Sequence, residues 1–213
     1  MPKTDPFDEH TQRYDDWFER HPHAYAAEVE AVRRFLPDDV DPDRALEVGV
    51  GTGRFADSLG MGLGLDPSRS MLSVARSRGI ESVLGVAENL PFRSSSLDVC
   101  LIVTTVCFVD SIPETLEETR RVLRDGGAVV LGYIDRESPL GGKYEEKKDE
   151  NPFYADADFV STREIVSQLE DAGFGEFDFA QTLFNGLGEI DEDETVEEGY
   201  GDASFVALRG VAD

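Results

Sequence analysis

The chain is poor in cysteine, lysine, histidine and tryptophan, and it has no long apolar run. Two cysteines in 213 residues, Cys100 and Cys107, exclude a disulfide framework, and their spacing suits neither a zinc knuckle nor a redox pair. Both sit in or just after one apolar stretch, so reduced, buried, structural thiols are expected. No apolar run nears the roughly 20 residues of a bilayer-spanning helix, and Met1-Pro2-Lys3-Thr4-Asp5 has no apolar leader. A cytoplasmic protein without a membrane partner is the expectation. His10, His21 and His23 lack a ligand arrangement, so surface or packing roles are expected and no metal.

Positive charge is the other shortage. Against 45 acids stand 20 bases, a formal net charge of −25, and the only lysines are Lys3, Lys143, Lys147 and Lys148. Such a surface opposes phosphate backbones, whose binding rests on Lys and Arg, so nucleic acid is marked down as a partner. The acids run along the whole chain, with one local run from Glu189 to Glu198. Self-repulsion of this kind destabilises a fold unless salt screens it, and proteins of halophiles use it for solubility. An origin in a salt-rich cytoplasm is therefore expected. The melting temperature should climb steeply between low salt and molar KCl, and a flat melting curve across that range would contradict the reading.

What the chain does have is a core-sized length for one domain and a glycine turn. Ala45-Leu46-Glu47-Val48-Gly49-Val50-Gly51-Thr52-Gly53-Arg54-Phe55-Ala56 reads as strand, glycine turn, helix. Glycines there accept positive φ and let a ligand approach the backbone, while amides at the following helix start stay open to it. Gly51 to Ala56 also fits the dinucleotide pattern G-x-G-x-x-A, so a nicotinamide-dependent reductase is an alternative. Glu47 inside the strand and the alternation of Gly49, Gly51 and Gly53 point elsewhere. Downstream, Gly62-Leu63-Gly64-Leu65-Asp66 ends a second strand in an acid able to accept two ribose hydroxyls, before Pro67-Ser68. Then come Gly85-Val86-Ala87-Glu88-Asn89-Leu90-Pro91-Phe92, an apolar strand from Leu97 to Thr105, and the turn Leu123-Arg124-Asp125-Gly126-Gly127 before a strand from Ala128 to Ile134.

Over roughly residues 44 to 134 these motifs resemble the class I S-adenosylmethionine-dependent methyltransferases, in the small-molecule branch that includes quinone-biosynthesis enzymes. The resemblance implies S-adenosylmethionine as cofactor, with contacts at Glu47, Gly49, Gly51, Gly53, Asp66, Pro67, Met71, Ala87, Glu88, Thr104 and Tyr14. The family commonly has Asp before the adenine-side alanine, where this chain has Val86, so that contact is not carried over. Thr104-Thr105-Val106-Cys107 also lacks the Pro-Pro-aromatic motif of DNA amino-methyltransferases and the Pro-Cys nucleophile of cytosine C5 enzymes. The implied function is methyl transfer to a small organic acceptor, with a non-catalytic S-adenosylmethionine sensor as another class.

Strands alternating with helices between Leu46 and Ile134 predict a doubly wound, seven-stranded, mostly parallel α/β sheet. Two amphipathic helices, carrying Phe7, Tyr14, Trp17 and Phe18 and then Tyr25, Val29, Val32 and Leu36, form an N-terminal cap over residues 1–40. In related enzymes such a segment, with a pair like Tyr14-Asp15, closes over the cofactor. Capping boxes Ser111/Glu114 and Ser161/Glu164 open two further helices. Phe177, Phe179 and then Ala203 to Arg209 predict an antiparallel hairpin at the sheet edge. Residues 135–160 read as a lid without a helix of its own, whose Phe153 and Tyr154 are placed against the acceptor. Tyr14, Tyr133, Asp135, Glu137 and Tyr154 are candidates for a general base, with nothing to rank them.

Overall fold

The computed structural model describes residues 4–39, 41–192 and 194–213, with Asp149 by its backbone alone. Met1 to Lys3, on which the expectation about a leader rests, lie outside the described residues. Five parallel strands, β1 (Ala45–Val48), β2 (Leu63–Asp66), β3 (Glu81–Leu84), β4 (Leu97–Val103) and β5 (Leu123–Ile134), lie in the order β3-β2-β1-β4-β5. Beyond β5 come β8 (Phe205–Ala212), β6 (Phe174–Thr182) and the two-residue β7 (Glu197–Glu198). The sheet thus has the seven expected strands plus β7, a short pairing made by the acidic connection.

The terminal pair is antiparallel, but its last strand is not at the edge. β8 pairs antiparallel with both β5 and β6. The reason is burial: Phe205, Val206, Ala207 and Leu208 are all covered, on alternate faces, whereas β6 exposes Glu176 and Asp178. A strand apolar on both faces belongs inside a sheet. β4 follows the same rule, with Val99, Leu101 and Val103 turned to one apolar layer and Cys100 and Ile102 to the other.

One face is covered by α2 (Thr11–Arg20), α3 (Pro22–Arg33), α4 (Arg54–Leu59) and α5 (Arg69–Ser77), with α1 (Asp5–Glu9) lying on α5. The other carries α6 (Ile112–Val122) and, after the helix α7 (Pro139–Lys147) of the intervening segment, α8 (Thr162–Asp171). The N-terminal cap has three helices rather than two. His10 and His21 leave the helical region, with ψ of 27° and 56°, and Pro22 starts the next helix where its missing N–H is harmless.

Ser161 and Glu164 close a full capping box on α8. Ser111 caps α6 by accepting from the Glu114 amide, but Glu114 does not reach back. Glu88 takes its place, its Oε1 accepting from the Asp110 and Ser111 amides at 2.7 and 3.2 Å. A second difference lies in residues 135–160, which do contain a helix. Ser138 caps α7 through the Gly141 amide at 3.0 Å and Pro139 opens it, while Gly141-Gly142 masks the helical pattern in the sequence. Both cysteines are buried thiols outside any disulfide, and burial pushes the Cys100 thiol up, away from reactivity. Among the described residues no helix is long and apolar enough to cross a membrane.

Candidate active site

Strand order reverses between β1 and β4, and the crevice beyond the carboxyl ends of these strands is where an open α/β sheet holds ligands. A cavity of about 460 Å³ lies there, walled by the turns after β1, β2, β3 and β4, by α1 to α3, and by the segment around α7. The turn after β1 is left-handed at Gly49 and Gly51, with φ of 75° and 52°. At Gly49 a Cβ would lie 2.2 Å from Thr105 Oγ1, and at Gly51 it would face the Tyr14 ring at 3.5 Å. Close approach demands glycine at Gly49, and the left-handed backbone favours it at Gly51.

The amides expected to stay open to a ligand are mostly engaged by the protein. Gly51 N donates to Asp66 Oδ2 at 2.9 Å, Gly53 N to the Val50 carbonyl at 2.8 Å and Ala56 N to Glu47 Oε2 at 2.8 Å. The nearby arginines are engaged as well. Arg54 holds Asp15 with Nε and Nη2 at 3.0 and 2.8 Å, and Arg78 Nη2 bonds both Asp15 oxygens. With these amides and both arginines taken by the protein, the turn is poorly suited to a pyrophosphate, whereas a sulfonium-bearing nucleoside brings none.

Asp66 is 9% exposed and forms part of the cavity wall. Its Oδ1 accepts from Ser68 N at 2.8 Å and its Oδ2 from Gly51 N, which leaves each oxygen a further lone pair for a hydroxyl. Burial pushes its pKa up to about 6, against the pull of those two amides, and the neighbouring Asp8 adds to the rise. Asp8 in turn accepts from Ser68 Oγ at 2.6 Å and so pins α1 to the start of α5. Pro67, Met71, Ala87, Glu88 and Thr104 complete the wall, and Val86 offers apolar surface where a polar adenine contact is common.

The cavity brings together Tyr14, Gly49, Gly51, Asp66, Pro67, Met71, Ala87, Glu88, Thr104, Phe153 and Tyr154. Glu47 and Gly53 stand behind it. Glu47, 2% exposed, holds the Ala56 amide, and burial raises its pKa well above normal despite that bond. Gly53 allows close approach to α5, where a Cβ would be 3.2 Å from the Ala75 backbone. Both position the turn from behind the cavity wall.

Tyr14 lies at the centre of the site. Its ring covers Gly51, it shares the wall with Thr104, and Phe18 and Phe153 pack edge-on at 5.4 and 6.1 Å. Burial, then the charges of Glu47, Asp66 and Glu28, push its phenol far up. Burial does the same for Tyr154 and Tyr133, so none of the three is a phenolate at neutral pH. Tyr133 donates to Thr162 Oγ1 at 2.9 Å, and Asp135 accepts from the Thr162 amide and hydroxyl and from the Glu137 amide. Asp135 thus ties α8 to β5, and Glu137 is exposed. Next to Tyr14, burial raises Asp15 but the Arg54 and Arg78 bonds outweigh it, leaving a pKa of about 2.

One residue on the wall was not anticipated. Glu28 lies on α3 among Ala24, Ala27, Val29, Ala31 and Val32, buried like them, yet reaches the cavity. An acid three residues after Tyr25 and four before Val32, on the apolar stripe of that helix, is the signal the sequence carried.

The glycine turn, the ribose-type acid and the terminal antiparallel strand define a nucleoside-binding fold of the methyltransferase kind. A family model described as a methyltransferase domain matches residues 46–131. A crystallised SAM-dependent methyltransferase of Thermotoga maritima, described as a possible histamine N-methyltransferase, is 43% identical with a TM-score of 0.94, covering 99% of this chain and 100% of that one. An uncharacterized protein of Methanocaldococcus jannaschii is 41% identical over 95% of this chain and 96% of its own. A ubiquinone/menaquinone biosynthesis C-methyltransferase of Campylobacter jejuni is 30% identical over 57% of this chain and 61% of its own. The chain belongs to the class I S-adenosylmethionine-dependent methyltransferases, with S-adenosylmethionine as methyl donor. These relatives give no support to a halophilic origin, so the salt response rests on the charge alone.

Proposed function

We propose that the protein methylates a small organic acceptor by in-line displacement, with donor and acceptor held in one continuous cavity. The observation that carries this is the extent of that cavity: it runs from Asp66, Pro67 and Met71 past Tyr14 to Phe153, Tyr154 and Tyr144. When bound, S-adenosylmethionine supplies a methyl group on a sulfonium, whose carbon–sulfur bond breaks as the acceptor's lone pair forms the new bond and the sulfur leaves as a neutral thioether. No nucleophile of the protein is required, and positioning supplies much of the rate. Asp66 would hold the ribose hydroxyls, Ala87 and Glu88 the adenine side, and the Gly49–Gly51 turn the methionine side. The turn is in turn fixed by Glu47 and by the Asp15 bridge.

Two aromatic pairs and one cation–π contact shape the far end. Phe153 packs on Phe7 at 5.5 Å, the Arg13 guanidinium lies over the Phe153 ring at 5.6 Å from its centroid, and Tyr154 stacks on Tyr144 at 4.7 Å. The test is turnover on a panel of small metabolites, read as S-adenosylhomocysteine release. With the acceptor so identified, Phe153→Ala and Tyr154→Ala should lower kcat/KM about tenfold each, the scale of one lost aromatic contact. Cofactor affinity and melting temperature should stay nearly unchanged. A sharp fall in melting temperature with unaltered acceptor kinetics would make both residues core residues and remove them from the acceptor wall.

A further inference from the structure

Glu28 is the one buried acid of the cavity wall that the cofactor roles above leave without a task. It is 4% exposed, and among the described residues it makes no hydrogen bond and no ion pair. Asp66 accepts two amides and Glu88 accepts two; Glu28 accepts none. A carboxyl group removed from water without a partner is costly, and an apolar residue in its place would serve the fold better. Its neighbours on α3 are apolar, so nothing in the helix calls for an acid there.

Its surroundings in the cavity are also defined. The Tyr14 ring lies over Gly51. Tyr144 of α7 belongs to the segment whose aromatic residues form the far end, and Glu28 lines the same cavity as both tyrosines. A carboxylate that shares a cavity wall with aromatic rings is the chemistry that receives an ammonium or imidazolium group.

We propose that the methyl acceptor is a small amine or imidazole, and that Glu28 binds its nitrogen and takes its proton. This rests on the methyl-transfer reading above and names the substrate class of that same cavity. The proton accounting is simple. A protonated nitrogen has no lone pair to attack with, so one proton passes from the acceptor to the Glu28 carboxylate. The neutral nitrogen then forms the new bond to the methyl carbon, and the product leaves as the methylated cation. Glu28 afterwards returns its proton to solvent. The transfer also avoids two positive charges facing each other in a low-dielectric cavity. A cationic acceptor beside Glu28 favours the ionised form that binds it, and burial, which raises the Glu28 pKa to about 8, makes that carboxylate basic enough to take the proton and hold it.

The test uses calorimetry on the full chain saturated with S-adenosylhomocysteine. The probes are histamine and phenethylamine, with 2-phenylethanol as the neutral counterpart of the latter. At least one amine should bind, with the alcohol at least tenfold weaker than phenethylamine if that is the one. Glu28→Gln should weaken the amine at least tenfold while leaving S-adenosylhomocysteine affinity and the melting temperature in place. Should the amide variant fold poorly, Glu28→Leu gives the same reading with an apolar side chain. Equal binding of amine and alcohol, an amine affinity unmoved by Glu28→Gln, or no amine binding to the loaded protein would each overturn the assignment. Failure of S-adenosylhomocysteine itself to bind would overturn the methyl-transfer reading as well, so the two failures are distinguishable.

Discussion

Replacing Asp66 with alanine is expected to weaken S-adenosylmethionine binding by about 1.5–3 kcal/mol, roughly 10- to 150-fold. The carboxylate is the anchor of two amides, Gly51 N and Ser68 N, and would present its remaining lone pairs to the ribose. Its removal therefore loses a ligand contact and frees the glycine turn at the same time. A pH dependence goes with it. An acid whose pKa rises from 3.8 to about 6 on folding holds its proton more tightly in the native state, so its contribution to stability falls as pH rises across that window. Binding should run the other way, because hydroxyl donors and a sulfonium both favour the ionised form. Affinity should strengthen with pH by up to about tenfold per unit below 6 and level off above it, as a single titrating group requires. Asp66→Asn should lack that slope. Calorimetry between pH 5 and 8 reads both, and an Asp66→Ala dissociation constant equal to wild type would reduce Asp66 to a turn acid before Pro67.

The largest loss of stability is expected from Gly49→Ala. Alanine at φ of 75° costs about 1–2 kcal/mol from backbone strain alone. The added methyl would also lie 2.2 Å from Thr105 Oγ1 and 2.3 Å from Cγ2. Thr105 has little room to yield, because its hydroxyl bonds the Val103 carbonyl at 2.9 Å and its neighbour Thr104 is already left-handed at φ 50°. A total near 3 kcal/mol, or a fall of about 6–12 °C in melting temperature for a chain of this size, is expected. Adding Thr105→Gly should recover the steric part and leave the strain. A Gly49→Ala variant that melts like wild type would mean that the turn is not held in this conformation.

Both effects concern residues that the sequence made visible, and the reason is local. A strand feeding G-x-G-x-G, an acid at the end of the next strand and two Ser-x-x-Glu starts are each written in a few adjacent positions. The parallel core and the helices α6 and α8 were legible for the same cause. What was hidden depends on contacts between distant segments. The placement of β8 between β5 and β6 follows from burial on both of its faces, which alternation in an isolated strand does not reveal. Glu88 was expected on the adenine side, but its bond to the Ser111 amide, which takes the place of Glu114 in the capping box, joins residues 23 apart. Asp135 and Tyr133 read as candidate bases because they end a strand at the site, and only the Thr162 contacts show them tied into the scaffold. Glu28 is the intermediate case. Its place on an apolar helix face was present in the sequence, while the cavity it reaches was not.

The N-terminal cap shows how local and distant features combine. Tyr14-Asp15 is a dipeptide, yet its two side chains do different work: the ring covers Gly51, and the carboxylate joins Arg54 of α4 to Arg78 beyond α5. The same helix thus closes the cavity and neutralises the cations beside the glycine turn. That neutralisation, together with the engaged amides, is what separates this site from a pyrophosphate-binding one.

The most direct measurement is therefore calorimetric titration of the full chain with S-adenosylhomocysteine and, separately, with NADH. One S-adenosylhomocysteine per chain should bind and NADH should give no heat of binding, because the protein itself takes the Gly51, Gly53 and Ala56 amides and the Arg54 and Arg78 guanidiniums that its phosphates would call on. Saturable binding of NADH with none of S-adenosylhomocysteine would contradict the assignment of this cavity to a methyl donor.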